Sequence, residues 1–314
     1  MYGRQPMNPN TIAEQTWYID VEYQGHPQLI ACGVVETEAG LLLVDPGPAV
    51  SVPTLEAKLE ELGSGFSDVN GLLLTHIHLD HAGATGLIVD RHPHVQVYVH
   101  SRGARHMIHQ ERLLASAERL YGTEMKELWG SFLPTPEPNV HVLEGGETLE
   151  IGGRTLDVAY TPGHASHHVS YLERSTGTAF VGDNAGMRVT GGDYVLPVTP
   201  PPDVQLEDWH TSLDMLRAWE PERLFVTHFG ASEDVTWHLD EISRQLDEWA
   251  ERVRLSLGDG RGEDADADRA RAFRDREMVA IEAKLEPALR TPYGVMGLIE
   301  PSWHGLARYW RNRD

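Results

Sequence analysis

Cysteine is nearly absent: Cys32 is the only one among 314 residues. No internal disulfide can form, and neither a thiolate zinc cluster nor a Cys-x-x-Cys redox pair is available. Long apolar runs are missing as well. Nothing approaches the roughly 18 consecutive apolar residues that mark a membrane span. The stretch Met1 to Thr16 is polar and lacks the apolar centre of a signal peptide. These absences lead us to expect a cytoplasmic chain with no membrane partner. Bases are scarce too, with 26 Lys and Arg against 48 Asp and Glu, a net charge of −22. Residues 1–236 carry most of it, 32 acids against 13 bases or −19. Such a field repels phosphate backbones and argues against a nucleic-acid partner.

What remains is globular in character, 40% hydrophobic and 24% charged, with a length suited to one large domain and an appendage. Short β runs come first, at Trp17 to Tyr23, Leu29 to Glu36 and Leu41 to Val44. A helix carrying Leu55, Leu59 and Leu62 follows. Gly71 to Thr75 is then a continuous apolar run, expected of a strand buried on both faces. After a strand at Val95 to Val99 the pattern turns helical from Ser101 to Trp129, closed by Pro134, Pro136 and Pro138. Strands resume at Val140 to Leu143, Thr148 to Ile151, Thr155 to Tyr160, His168 to Leu172 and Ala179 to Val181. Next come a helix over Leu206 to Trp219, a strand at Arg223 to Val226 and a helix over Glu233 to Leu257. An acidic, glycine-bearing linker at 258–268 precedes a helix from Arg269 to Leu289 and an aromatic tail. We expect an α/β domain over 1–235, with a helical insertion at 101–139, and a C-terminal helical extension over 236–314.

Chemistry concentrates in Thr75-His76-Ile77-His78-Leu79-Asp80-His81. Three imidazoles and a carboxylate this close, directly after a buried strand, need partners that an apolar core does not supply. Water or an ion must supply them. If strand geometry continues, His76 and His78 project to one side, while Asp80 and His81 turn over the strand end. Imidazole nitrogen and carboxylate oxygen suit zinc, and also iron or manganese.

The segment resembles the His-x-His-x-Asp-His signature of the metallo-β-lactamase-fold hydrolases. Three later strand ends resemble the family's remaining motifs: Thr161-Pro162-Gly163-His164, Phe180-Val181-Gly182-Asp183 and Phe225-Val226-Thr227-His228. The resemblance spans roughly residues 15–235 and implies a four-layer αββα sandwich that gathers these strand ends at one edge. It also implies two divalent metal ions, zinc first, with iron or manganese as alternatives. His76, His78 and His164 would hold one ion, Asp80, His81 and His228 the other, and Asp183 would bridge them. The implied nucleophile is a hydroxide shared by the ions. Asp80 is the implied catalytic residue, accepting a hydrogen bond from that hydroxide and passing a proton to the leaving group.

Departures within the family narrow the activity. Asp183 stands where one subclass of zinc β-lactamases has a cysteine, so β-lactam hydrolysis is not expected. Only 44 residues separate Asp183 from His228, too few for the inserted domain of the nucleic-acid processors. Gly186 stands where a type of homoserine lactonase has a tyrosine. The motifs are most similar to hydroxyacyl-glutathione hydrolases and lactonase-like members, which implies cleavage of a small-molecule ester, thioester or lactone. The alternative is an iron-dependent persulfide or thiol dioxygenase on the same fold. That chemistry would use a single iron and would not need Asp80, His81 and His228 together.

Arg269, Arg271, Arg274, Arg276 and Lys284, candidates for a glutathione pocket, alternate with acids in the manner of a solvated, salt-bridged face. Met107, Met125, Trp129 and Phe132 read as packing residues that double as a candidate acyl-binding wall. His168 reads as the partner of a ligand and His167 as exposed. Trp303, Tyr309 and Trp310 could cap the pocket or make a homo-oligomer contact.

Overall fold

The computed structural model describes residues 10–313, without the side chain of Leu120, so much of the polar stretch at 1–16 lies outside the described residues. The first sheet comprises β1 (Thr11–Ala13), β2 (Thr16–Asp20), β3 (Ala31–Thr37), β4 (Gly40–Val44), β5 (Val69–Leu73), β6 (Gln96–His100) and β7 (Val140–Leu143), hydrogen-bonded in chain order. Pairing is antiparallel as far as β4 and parallel from there on. Parallel neighbours need a crossover. α1 (Val52–Glu61) provides the one between β4 and β5, and α2 (Leu79–Ala82) with α3 (Thr85–Arg91) the next.

Between β6 and β7 the helical pattern expected over 101–129 is divided into α4 (Ser101–Ile108), α5 (Glu111–Tyr121) and α6 (Met125–Trp129). His109 leaves helical geometry at φ −123°, ψ 88° and ends α4.

The second sheet comprises β8 (Thr148–Ile151), β9 (Arg154–Tyr160), β10 (Val169–Glu173), β11 (Thr178–Phe180), β12 (Arg223–Val226) and β13 (Gly230–Ser232), again neighbours in chain order. α7 (Leu206–Ala218) crosses between β11 and β12, which pair in parallel. α8 (Val235–Leu257), α9 (Asp266–Lys284), α10 (Pro287–Met296) and α11 (Ile299–Arg311) complete the chain. No helix among the described residues is long and apolar enough to cross a membrane.

Strand alternation explains the layering. In β4, Leu42 and Val44 pack between the sheets with Leu156, Val158, Phe180 and Phe225. Leu41 and Leu43 join Leu55 and Leu59 of α1 and Ile88 of α3 on the opposite face. In β12, Phe225 points inward, whereas Leu224 and Val226 pack with Trp209 of α7 and Ile242 of α8. Central strands such as β4 and β12 thus bury both faces, which is why they are continuously apolar. The result is an αββα sandwich.

The cluster outside the second sheet continues into the C-terminal helices, where Trp209, Leu213, Trp249, Phe273, Tyr293 and Trp303 share one core. Trp303 and Tyr309 are internal, so these two rings serve packing and not an exposed cap or contact. Met107, Trp129 and Phe132 are likewise buried, under the first sheet. The helix expected to run from Arg269 to Leu289 stops at Lys284, because the residue preceding a proline is driven to extended geometry and Pro287 opens α10. Arg269 is only 4% exposed. It pins the acidic linker through Asp259, Asp266 and the Gly262 carbonyl. Arg271 pairs with Asp268, Arg274 with Glu300 and Lys284 with Glu241, so these bases face acids of the same extension.

Candidate metal centre

Four strand ends converge at one edge of the sandwich. β5 ends at Leu73, and Thr75 to His81 form the following loop and the first turn of α2. The Thr75 carbonyl accepts from the Val169 N–H at 2.8 Å, tying this loop to β10 of the other sheet. His164 lies in the turn after β9, Asp183 just past β11 and His228 just past β12. Gly182 holds a left-handed φ of 47°, and a Cβ there would lie 2.5 Å from Thr75 Oγ1 and 2.7 Å from His168 Nε2. Only glycine lets the backbone bearing Asp183 come this close to the histidine loop.

The seven residues fall into two groups, His76, His78, His164 and Asp183, and Asp80, His81 and His228, with donor atoms in each within 4.8 Å of one another. His78 Nδ1 lies 3.0 Å from both His76 Nε2 and His164 Nε2. Asp183 faces both groups with different oxygens. Its Oδ2 is 3.4 Å from His164 Nε2 and 3.9 Å from His76 Nε2. Its Oδ1 is 3.2 Å from His81 Nε2 and 3.5 Å from His228 Nε2. Asp80 Oδ2 completes the second group, 3.4 Å from His228 Nε2 and 3.8 Å from His81 Nε2.

The outer ring nitrogens determine which inner ones carry lone pairs. His164 Nδ1–H donates to the Val198 carbonyl at 2.6 Å, and His228 Nδ1–H to the Leu29 carbonyl at 2.7 Å. His81 Nδ1–H donates to Asp45 Oδ2 at 2.8 Å. Thr75 Oγ1 donates to the same oxygen at 2.7 Å, so it accepts from His76 Nδ1–H at 3.1 Å. In the neutral rings Nε2 is then an acceptor aimed inward. Lone pairs packed against one another and against a carboxylate call for a cation.

His81 Nε2, His228 Nε2 and Asp183 Oδ1, all buried, have no hydrogen-bond partner among the described residues. Such atoms are costly to leave unpaired, and all three face the second group, where one divalent ion would satisfy them. The pull on positive charge differs from ring to ring. Burial pushes His76 and His78 down, aided by neighbouring imidazoles, His78 to about 4. At His81 burial also opposes a positive charge, but the carboxylates of Asp183, Asp45 and Asp80 outweigh it and hold its pKa well up. Burial would raise Asp80, yet His81 and His228 hold its carboxyl at about 2.

Asp45 belongs to none of the four motifs. It is fully buried at the end of β4, with a φ of 50°. Beyond Thr75 Oγ1 and His81, it accepts from the Thr75 N–H and Thr227 Oγ1, each at 2.8 Å. One carboxylate therefore organises the supports of both groups. Its signal was available: an acid that closes an apolar strand, as Asp183 does after Phe180-Val181.

His168 does not bond a member of either group; its Nδ1 pairs with Thr161 Oγ1 at 2.9 Å and its ring stacks on His76 at 5.2 Å. His167 is half-buried rather than exposed, and its ring stacks on His76 at 6.0 Å. The insertion also reaches this edge. Trp129 stacks on Tyr23 at 5.6 Å and meets Tyr121 edge-on at 5.1 Å. Burial, and after it the Asp80 carboxylate, raise both phenols.

Known proteins share this arrangement of chain. Over 178 residues the protein is 28% identical to a metallo-beta-lactamase fold-containing protein of Sulfurisphaera tokodaii, covering 56% of this chain and 63% of that one. Over 182 residues it is 30% identical to a hydroxyacylglutathione hydrolase of Synechococcus sp., covering 58% and 56%. The chain thus spans less than two thirds of the length of either relative. The solved structure of a metallo-beta-lactamase family protein from Thermus thermophilus superposes with a TM-score of 0.70 at 23% identity, over 96% of this chain and 95% of that one. Likeness at that identity shows a common fold along nearly the whole chain. Residues 27–228, the span that contains all four strand ends, match the metallo-beta-lactamase superfamily, and the chain belongs to that superfamily.

Proposed function

We propose that the protein is a dinuclear metal hydrolase that cleaves a small ester, thioester or lactone. The observation that carries this reading is Asp183, whose two oxygens face separate histidine groups at 3.4 Å and 3.2 Å. In this reading His76, His78 and His164 hold one ion, Asp80, His81 and His228 the other, and Asp183 serves both. Two divalent cations, zinc first and iron or manganese as alternatives, supply Lewis acidity and an activated water there when bound.

The protein's own residues do the rest. Val198, Leu29 and Asp45 hold the imidazoles by their outer nitrogens, which turns the inner ones toward the ions. Asp80, with 14% of its side chain exposed, is the open member of the second group. Held ionised at neutral pH, its carboxylate can accept a proton on the oxygen not turned to that group and pass it to a leaving group at the rim. Tyr23 and Tyr121, whose phenols the Asp80 charge helps to raise, are our candidates for the wall on that side. The hydroxyacylglutathione hydrolase relative supports a thioester among the substrates.

The test is turnover by metal-reconstituted protein on p-nitrophenyl esters, acyl-glutathione and acyl-CoA thioesters, lactones and phosphodiesters, with metal content measured in parallel. Hydrolysis of an acyl substrate with two ions per chain is the expected result. One iron per chain with oxygen uptake on a persulfide, and no hydrolysis, would falsify it.

A further inference from the structure

Between Asp183 and α7 the chain makes an excursion over residues 186–205, closed by reciprocal hydrogen bonds of 2.8 Å between Met187 and Leu196. One flank grips the turn that carries His164. The Val198 carbonyl accepts from His164 Nδ1–H at 2.6 Å, Asp203 accepts from Ser166 Oγ at 2.6 Å, and the Gln205 N–H donates to the Gly163 carbonyl at 2.9 Å.

The other flank is held by buried polar side chains from three different C-terminal helices. His238 of α8 donates from Nε2 to the Ala185 carbonyl at 2.8 Å. Tyr293 of α10 accepts from the Val189 N–H at 3.1 Å and donates to the Tyr194 carbonyl at 2.7 Å. Ser302 of α11 accepts from the Thr199 N–H at 3.0 Å, and Thr199 Oγ1 donates to the Ser302 carbonyl at 3.2 Å. α11 also meets this loop through backbone, because a Cβ on Gly305 would lie 2.0 Å from the Thr199 carbonyl oxygen. All three side chains are at most 1% exposed. Polar groups buried this deeply inside an apolar cluster are retained at a cost, and here Tyr293 and Ser302 are committed to the loop and His238 to Ala185, the residue that leads into it. Thr199, which α11 holds, is the immediate neighbour of Val198, which holds His164.

We propose that the C-terminal helices act as a buttress: Ser302 and Tyr293 are positioning residues that set the Val198 carbonyl, and through it His164, for metal. The proposal rests on the metal reading above. Its test is a zinc titration of metal-free full-length chain against a competing chelator. The unmodified chain binds two equivalents. Ser302→Ala loosens one of them about 10-fold, the lower end of what loss of an outer support costs, and leaves the other unchanged. Tyr293→Phe, which removes both hydroxyl bonds to the loop, acts on the same equivalent and carries the test should Ser302→Ala fail to fold. Trp310→Phe removes a bond between α11 and the Ala250 carbonyl without touching the loop, and it keeps both affinities. Unchanged zinc binding in Ser302→Ala and Tyr293→Phe overturns the buttress alone, as does equal loosening in Trp310→Phe. An unmodified chain that takes up no zinc overturns the metal reading and the buttress with it.

Discussion

At the scale of single residues the centre depends on carboxylates in two roles. Asp183 touches both histidine groups, so Asp183→Ala should lose bound metal from both along with hydrolysis, and His78→Ala should do the same through the first group. Elemental analysis of purified variants checks this, and full metal content with normal turnover in either one would sink the assignment. Asp45 touches neither ion in this reading, but it aligns His81 directly and His76 through Thr75. Asp45→Ala should therefore weaken metal binding about 10- to 100-fold rather than abolish it, measurable by chelator competition. The difference explains what could be seen in the sequence. That these seven residues gather in two groups was legible because each sits in a short motif at the end of an apolar run, where a polar cluster has no packing explanation. The supports were not. Asp45 closes an apolar strand as Asp183 does, but nothing in the chain ties it to its distant partners, and the carbonyls of Leu29 and Val198 leave no trace in residue type.

At the scale of elements, α8 shows how an outer helix reaches toward the centre. His238 is fully buried, and burial pushes its pKa down from 6.5 to about 4. The unfolded chain takes up a proton first, so this contribution to stability is complete above pH 6.5, declines as the pH falls and is gone below about 4. The shift corresponds to about 3 kcal/mol. Denaturant titrations across that range should give His238→Gln a shallower pH dependence than the parent; equal slopes would show that His238 charges freely in the folded chain. Strands such as β4, β5 and β12, apolar on both faces, were readable as runs, whereas the short α3, β13 and α10 were not, and α11 read only as an aromatic tail. The division of 101–129 into three helices was not, because the amphipathic pattern runs across the break at His109. The internal place of Trp303 was equally hidden. An aromatic residue on a helix looks the same in sequence whether it caps a pocket or fills a core.

At the scale of the whole molecule, the second sheet and the C-terminal helices share one apolar cluster, and the two sheets meet at the edge where the seven donors gather. Each group draws on both halves of the sandwich. The first joins His76 and His78, which follow β5, to His164 and Asp183 of the second sheet, and the second joins Asp80 and His81 to His228. An ion in either group is therefore a crosslink between segments that lie far apart in sequence, formed only after both sheets have docked. Zinc present at about 1,000 times its dissociation constant would add about 4 kcal/mol to stability. Chelation should lower the melting temperature, and zinc should restore it; a melt indifferent to both would mean that no ion spans the seam. In the dinuclear reading the centre would be a clasp as well as a reaction site. Once closed, it would lengthen the lifetime of the folded chain by requiring two independent sets of metal–ligand bonds to open before the sheets can part.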